Sequence, residues 1–299
     1  MTTFRGVRVA ATAASLLLLT TACAQTGGTD SANDAAAGGS SLSGDALVLR
    51  VDYTGGFTTP TMLATRLPLI SVYADGRVIS QGPTVMIYPG PAMPNLLVQV
   101  ISAEQVDDLV KQALAAGVGS APDLGTPPVA DAASTRFTVR TADGTEELEV
   151  YALGEAGEGL GGDTGLTAEQ TAARDKLRSF ADSLTGLSGG IGTSAEDSEP
   201  YVAHAIAAVA EPWVAVDETV DASQPEVAWP GPALPGESLS ENLELGCVTV
   251  TGAELEQLRT VASDATTATP WMSGDKRWTV ALRPLLPDEA DCATIAAAR

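Results

Sequence analysis

The chain has 299 residues, 44% of them hydrophobic and only 4% aromatic, and it carries 38 Asp plus Glu against 16 Lys plus Arg, a formal charge of −22. So acidic a surface repels phosphate backbones and anionic headgroups, which excludes nucleic acid as a partner and electrostatic adhesion to a bilayer. A single histidine, His204, and three scattered cysteines offer no zinc spacing, so no metal and no cofactor are expected.

Arg5 and Arg8 form a short positive region ahead of an apolar run from Val9 to Leu19, which is a signal peptide and too short to span a membrane. It ends in Leu16-Leu17-Leu18-Leu19-Thr20-Thr21-Ala22-Cys23, which resembles a bacterial lipobox, with Thr20 departing from the usual Leu three places before the cysteine. The resemblance implies removal of residues 1–22, acylation of Cys23 (palmitate is one such chain) and attachment to the outer face of the cytoplasmic membrane. The alternative is a plainly secreted protein cut at an Ala-x-Ala-like site around Ala22-Cys23-Ala24. Cleavage takes away Arg5 and Arg8 and no acid, so the mature charge becomes −24. Stable membrane attachment must then come from at least two acyl chains.

Residues 23–45 comprise the lipidated Cys23 and a Gly/Ser/Ala/Thr/Asp stretch with too few large apolar side chains to offset ordering entropy. They read as a flexible tether with a reach of roughly 25 Å. A first α+β domain is expected over 46–187. It opens with a strand, Leu47 to Tyr53, ended by Gly55-Gly56. Leu69 to Tyr73 and Val78 to Ser80 form a hairpin around Asp75-Gly76, because Asp-Gly between β-formers suits the positive φ of a type I′ turn. Ser102 with Gln105 forms a capping box for a helix whose inward stripe is Val106, Leu109, Val110, Ala113 and Leu114, stopped by Gly117.

A second hairpin, Arg136 to Arg140 and Glu146 to Tyr151, turns at Asp143-Gly144. After a Gly-rich loop, Gly154 to Gly165, Thr167 and Gln170 cap a helix that buries Leu177, Phe180, Ala181, Leu184 and Leu187. Residues 188–200 read as a linker.

The second unit, 201–299, echoes the first. Tyr88-Pro89-Gly90-Pro91-Ala92-Met93-Pro94 recurs as Trp229-Pro230-Gly231-Pro232-Ala233-Leu234-Pro235, and each copy precedes a strand and a capped helix. In the second copy these are Cys247 to Val250 and a helix boxed by Thr251 and Glu254, with Leu255, Leu258, Val261 and Ala262 inward. One strand, Arg277 to Leu282, follows where the first copy has a hairpin. The fold class is therefore α+β: two tandem related units of antiparallel hairpins packed with amphipathic helices, the second degenerate. With Cys23 acylated, Cys247 and Cys292 remain in an oxidising compartment and are expected to form a disulfide.

Gly55-Gly56-Phe57 followed by Pro60, Leu67-Pro68 before the Asp75-Gly76 hairpin, and Tyr88-Pro89-Gly90-Pro91 together resemble a group of secreted lipoproteins of high-GC Gram-positive bacteria. The resemblance spans residues 47–118. It implies an extracytoplasmic address and a β-rich domain with packed helices. No activity is assigned to the group, so no catalytic residues carry over.

No catalytic set stands out. His204 is the one imidazole base in the chain, but no Gly-x-Ser-x-Gly elbow accompanies it, and a structural histidine is the simpler account. Carboxylate pairs occur at Asp107-Asp108, Glu146-Glu147, Asp217-Glu218 and Asp288-Glu289. A glycosidase would need two in a cleft with one pKa raised by burial, whereas solvated charge is the default for these. The acidic loop Val216 to Asp221 lacks EF-hand spacing, and the acidic Gly-rich segment from Gly154 to Gly162 lacks a Gly-Lys-Ser/Thr.

Trp213, Trp229, Trp271 and Trp278 all lie in the second unit. With Tyr88 they are candidates for a binding surface, core packing being the competing role. The two Pro-Gly-Pro segments are either exposed edges that partners recognise or rigid crossovers. The expected function is non-enzymatic: a lipid-anchored envelope protein that binds a protein partner. An envelope hydrolase using carboxylates or His204, and a solute-binding lipoprotein with a cleft lined by Trp229 and Trp271, are the alternatives.

Overall fold

A computed structural model describes residues 43–120, 122–141, 143–155, 165–187, 198–215, 224–240 and 242–297. The signal peptide, Cys23, nearly all of the tether, most of the Gly-rich loop and of the linker, and the acidic loop with Asp217-Glu218 lie outside these residues.

The first sheet contains β1 (Leu47–Gly55), β2 (Ile70–Tyr73), β3 (Arg77–Gln81), β4 (Leu96–Val100), β5 (Ala133–Thr141), β6 (Gly144–Tyr151) and β7 (Glu199–Pro200). Their order is β6-β5-β1-β2-β3-β4-β7, with every neighbouring pair antiparallel. Both Asp-Gly hairpins form, as β2–β3 and β5–β6. Gly76 has φ +87°, and a Cβ there would stand 2.2 Å from the carbonyl oxygen of Ile101, so the turn admits glycine alone.

Period-two alternation divides β1. Leu49 and Val51 enter the core beneath the helices, while Arg50 and Asp52 point to the opposite face. The helices are α2 (Ala103–Ala116) and α3 (Ala168–Leu187), and each begins with its expected box. Ser102 accepts from Gln105 N and Thr167 from Gln170 N, both at 3.2 Å, and each glutamine side chain returns to the cap backbone. Val106, Leu109, Leu177 and Leu184 fill the space between helices and sheet, with Phe137 and Phe180 ring to ring at 6.2 Å. Each such side chain contributes about 1.5–3 kcal/mol on burial. Arg174 lies inside this layer at 1% exposure and donates to the carbonyls of Leu124, Tyr151 and Ala152. It thereby fixes the turn after β6, where Ala152 has φ 51°.

The second sheet contains β8 (Ile206–Pro212), β9 (Val227–Ala228), β10 (Glu237–Ser238), β11 (Gly246–Val250), β12 (Trp271–Ser273) and β13 (Lys276–Pro284), in the order β10-β11-β8-β13-β12-β9. Only the β9–β12 pair is parallel. Against one face lies α4 (Gly252–Ala262), through Leu255, Leu258 and Ala262. Thr251 occupies its N-cap position but makes no side-chain cap bond, so the expected box with Glu254 does not form. A hairpin, β12–β13, follows α4 where one strand was expected. The two sheets share a strand–helix–hairpin order but differ in pairing: β5, the first strand of its hairpin, joins β1, whereas β13, the second of its own, joins β8.

The other face of this sheet is covered from elsewhere in the chain. Between β1 and β2 the chain forms α1 (Pro60–Thr65), with Thr59 as N-cap, which packs on β8, β13 and the C-terminal α5 (Cys292–Ala297). The Cys247–Cys292 disulfide ties α5 to β11 with Cα atoms 6.0 Å apart. In return, residues 285–289 lie on the outward face of the first sheet, where Leu286 joins Leu67, Tyr73, Ile79 and Leu96. The described residues form one compact unit.

Candidate binding surface

Where the outward face of the first sheet meets the C-terminal segment, charged groups converge. Arg50 donates to Ser71 Oγ at 3.0 Å and to Asp288 Oδ1 at 2.8 Å, and Tyr73 Oη donates to the same carboxylate oxygen at 2.7 Å. Arg136 grips Asp52 with two bonds of 3.0 Å. Arg283 grips Glu289 at 2.7 and 2.8 Å, and Glu289 also accepts the Leu286 N–H at 2.9 Å. Burial disfavours a charged Arg50, but Asp288 and its neighbours outweigh it and raise the guanidinium pKa. Burial also raises the Tyr73 phenol, and pushes that of Tyr201 up to about 12.

This seam revises the expectation for Asp288-Glu289. Glu289 is 6% exposed rather than solvated, because the guanidinium six residues earlier folds back across the Leu285-Leu286-Pro287 turn to neutralise it. Each carboxylate of the seam is thus held by an arginine, an arrangement that suits structure better than proton transfer. Asp107-Asp108 and Glu147 lie exposed on α2 and β6, as expected of solvated charge. His204 is also exposed, in a shallow hollow of about 330 Å³ with Asp45, Arg77, Tyr201, Val202 and Pro287.

The candidate aromatics do not form one surface. Trp271, Trp278 and Trp229 are 0, 6 and 9% exposed and belong to the core under α4. Trp229 and Trp271 pack edge to face at 5.5 Å, and Trp229 Nε1 donates to Pro232 O at 2.7 Å. The register explains their burial: Trp271 stands opposite Trp278, so both side chains project to the same face of the sheet. Of the second-unit tryptophans, Trp213 alone remains partly exposed, beneath the Arg277 guanidinium at 5.4 Å. Tyr88 is 72% exposed, far along the chain in the β3–β4 connection.

That connection holds what the sequence reading missed. Val85, Met86, Ile87 and Tyr88 are 57, 100, 65 and 72% exposed, four consecutive large apolar residues in a segment, Gly82 to Asn95, with no charge. Its base is braced. Gly82 N donates to Asn95 O, and Asn95 Nδ2 to Pro83 O, both at 2.9 Å. On the far side Gly90 O accepts from Thr267 N at 2.8 Å and Ala92 N donates to Ala265 O at 3.0 Å, with a bridge between Pro91 and Thr266. The Pro-Gly-Pro backbone is therefore already paired and not an open edge. It carries the apolar tetrapeptide before it. The legible signal was Val-Met-Ile-Tyr between two prolines in a strongly acidic chain.

Among the described residues no group of His, Cys, Asp and Glu could hold a metal ion, and no helix is long and apolar enough to cross a membrane. The chain matches no family model, no curated protein and no solved structure with which it was compared.

Proposed function

We propose that this is a lipid-anchored protein of the cell envelope that binds a protein partner through the loop Val85–Tyr88. The observation that carries the proposal is the full exposure of Met86 at the centre of an uncharged apolar run whose flanks are hydrogen-bonded in place. Contiguous exposed apolar surface marks interaction sites. A loop fixed beforehand loses little conformational entropy on docking. Burying such side chains on a partner would contribute about 1.5–3 kcal/mol each. In the same reading Cys23 bears the acyl chains on the outer face of the cytoplasmic membrane, and the chain belongs with the secreted lipoproteins it resembles.

The test is site-specific photocrosslinking in cells, with the reactive side chain at position 86 and, as reference, at the exposed Val100. A discrete protein adduct from position 86 alone, lost when Ile87→Asp is added, supports the proposal. Adducts to lipid, or the same ladder from both positions, overturn it.

A further inference from the structure

The β-register of the second sheet sends alternate residues of β8 and β13 to opposite faces. Trp278 and Val280 go to the core beneath α4, while Arg277 is directed to the face that α1 and α5 cover further along. Trp213, one residue past the end of β8, bonds its backbone N–H to Arg277 O at 3.2 Å and places its indole against the Arg277 guanidinium at an end that no described helix covers. Glu226 closes an ion pair with Arg277, which fixes the guanidinium and with it the indole. The result is an open bowl of about 600 Å³ with an aromatic wall, rimmed by Glu244, Asp275 and Lys276. All three side chains are exposed, and among the described residues none of them makes a hydrogen bond or an ion pair.

The geometry points to a glycan-binding site in this bowl, its ligand a neutral pyranose oligosaccharide. A sugar ring has an apolar C–H face and an equator of hydroxyls. It therefore asks for a fixed aromatic wall together with both acceptors and donors whose hydrogen bonds are not already committed. Trp213 supplies the first, Glu244 and Asp275 the acceptors, and Lys276 the donor. Three carboxylates against two cations in the lining disfavour an anionic ligand. The volume lies in the range of small-molecule sites, about 300–1,000 Å³. The site is separate from the Val85–Tyr88 loop and does not depend on the role proposed for it.

Saturation-transfer NMR of the full chain in a non-glycosidic detergent, with chitobiose and cellobiose as probes, tests this. Expected is transfer to the sugar ring protons at millimolar concentration, with affinity reduced about tenfold or more by Trp213→Ala, a loss of about 1.4 kcal/mol. The rim variant Glu244→Gln with Asp275→Asn changes only exposed side chains and should weaken binding comparably, whereas Met86→Asp should bind as wild type. Absence of transfer from both sugars in the wild type, or transfer that persists unchanged in both the wall and the rim variants, overturns the inference.

Discussion

Arg283 and Glu289 face each other through two parallel charge-assisted hydrogen bonds with side chains only 5 and 7% exposed, at the place where the C-terminal segment crosses the first sheet. Arg283 Nε also reaches Arg66 O at 3.4 Å, so the pair holds the chain leading out of α1 as well. Removing one partner of such a pair strands a buried charge. Glu289→Ala should therefore lower unfolding free energy by about 3–5 kcal/mol. The double variant Arg283→Met, Glu289→Leu should recover much of this and retain a deficit of about 1–3 kcal/mol from the orphaned Leu286 N–H. Urea denaturation of Arg283→Met, Glu289→Leu and the double, read as a thermodynamic cycle beside Glu289→Ala, measures the coupling.

Alkaline stability should depend on two phenols. Tyr73 and Tyr201 have pKa values raised first by burial, the latter to about 12. In the unfolded chain both ionise near pH 10 (about the free phenol value). The unfolded state thus loses protons that the folded state keeps. Their stabilising contribution is complete below about pH 10 and is lost as pH rises toward and through the folded values, at up to about 1.4 kcal/mol per pH unit for each phenol. Denaturation series from about pH 9 to 11 on wild type, Tyr73→Phe and Tyr201→Phe should show a shallower decline in each variant. Equal slopes in all three would show that the phenols carry none of it.

Two glycines with positive φ separate backbone preference from crowding. Gly76, at φ +87°, has Ile101 O where a Cβ would lie, and its own carbonyl accepts the Ile101 N–H at 2.9 Å. Gly55, at φ +59°, has nothing within 4 Å of that position. Gly55→Ala should cost about 1–2 kcal/mol, the penalty of a left-handed residue. Gly76→Ala should cost more, about 3 kcal/mol or above, since the β2–β3 turn must also move away from the Ile101 carbonyl. Thermal unfolding of both variants gives the comparison.

Local signals in the sequence were read well where they act locally. Asp75-Gly76 and Asp143-Gly144 each turned a hairpin, and Ser102/Gln105 and Thr167/Gln170 each closed a capping box. Thr251/Glu254 has the same letters without the bond: its N-cap backbone stands at φ −138°, against −71° at Ser102. The Thr59-Pro60 start of α1 is legible as a cap followed by an N1 proline, a short signal set between two strands. Long-range placement was not legible. Nothing near α1 announces that it covers the other sheet, and nothing around Asp288-Glu289 announces that Arg50 and Tyr73, more than 200 positions earlier, await the first of these carboxylates. The tryptophans illustrate the limit: composition brought four together, but the register of β12 against β13 decides that Trp271 and Trp278 are core and leaves Trp213 outside.

The apolar loop offers the sharpest separation of fold from function. Met86 and Ile87 are 100 and 65% exposed, and the hydrogen bonds that brace the loop run through Gly82, Pro83, Gly90, Ala92 and Asn95, not through their side chains. Met86→Asp with Ile87→Asp therefore removes no buried contact, and its effect on unfolding free energy should stay within about 0.5 kcal/mol. Partner engagement should instead collapse, since two carboxylates would have to be desolvated against an apolar receptor site at a cost of several kcal/mol. Asn95→Ala makes the complementary change: it removes the Pro83 tie and leaves the apolar tetrapeptide intact. It should weaken engagement only modestly, through the entropy of reordering the loop. Photocrosslinking yields of the two variants against wild type, beside their urea midpoints, check both halves. A large stability loss in the Asp pair would mean that the loop is part of the fold and not a docking element.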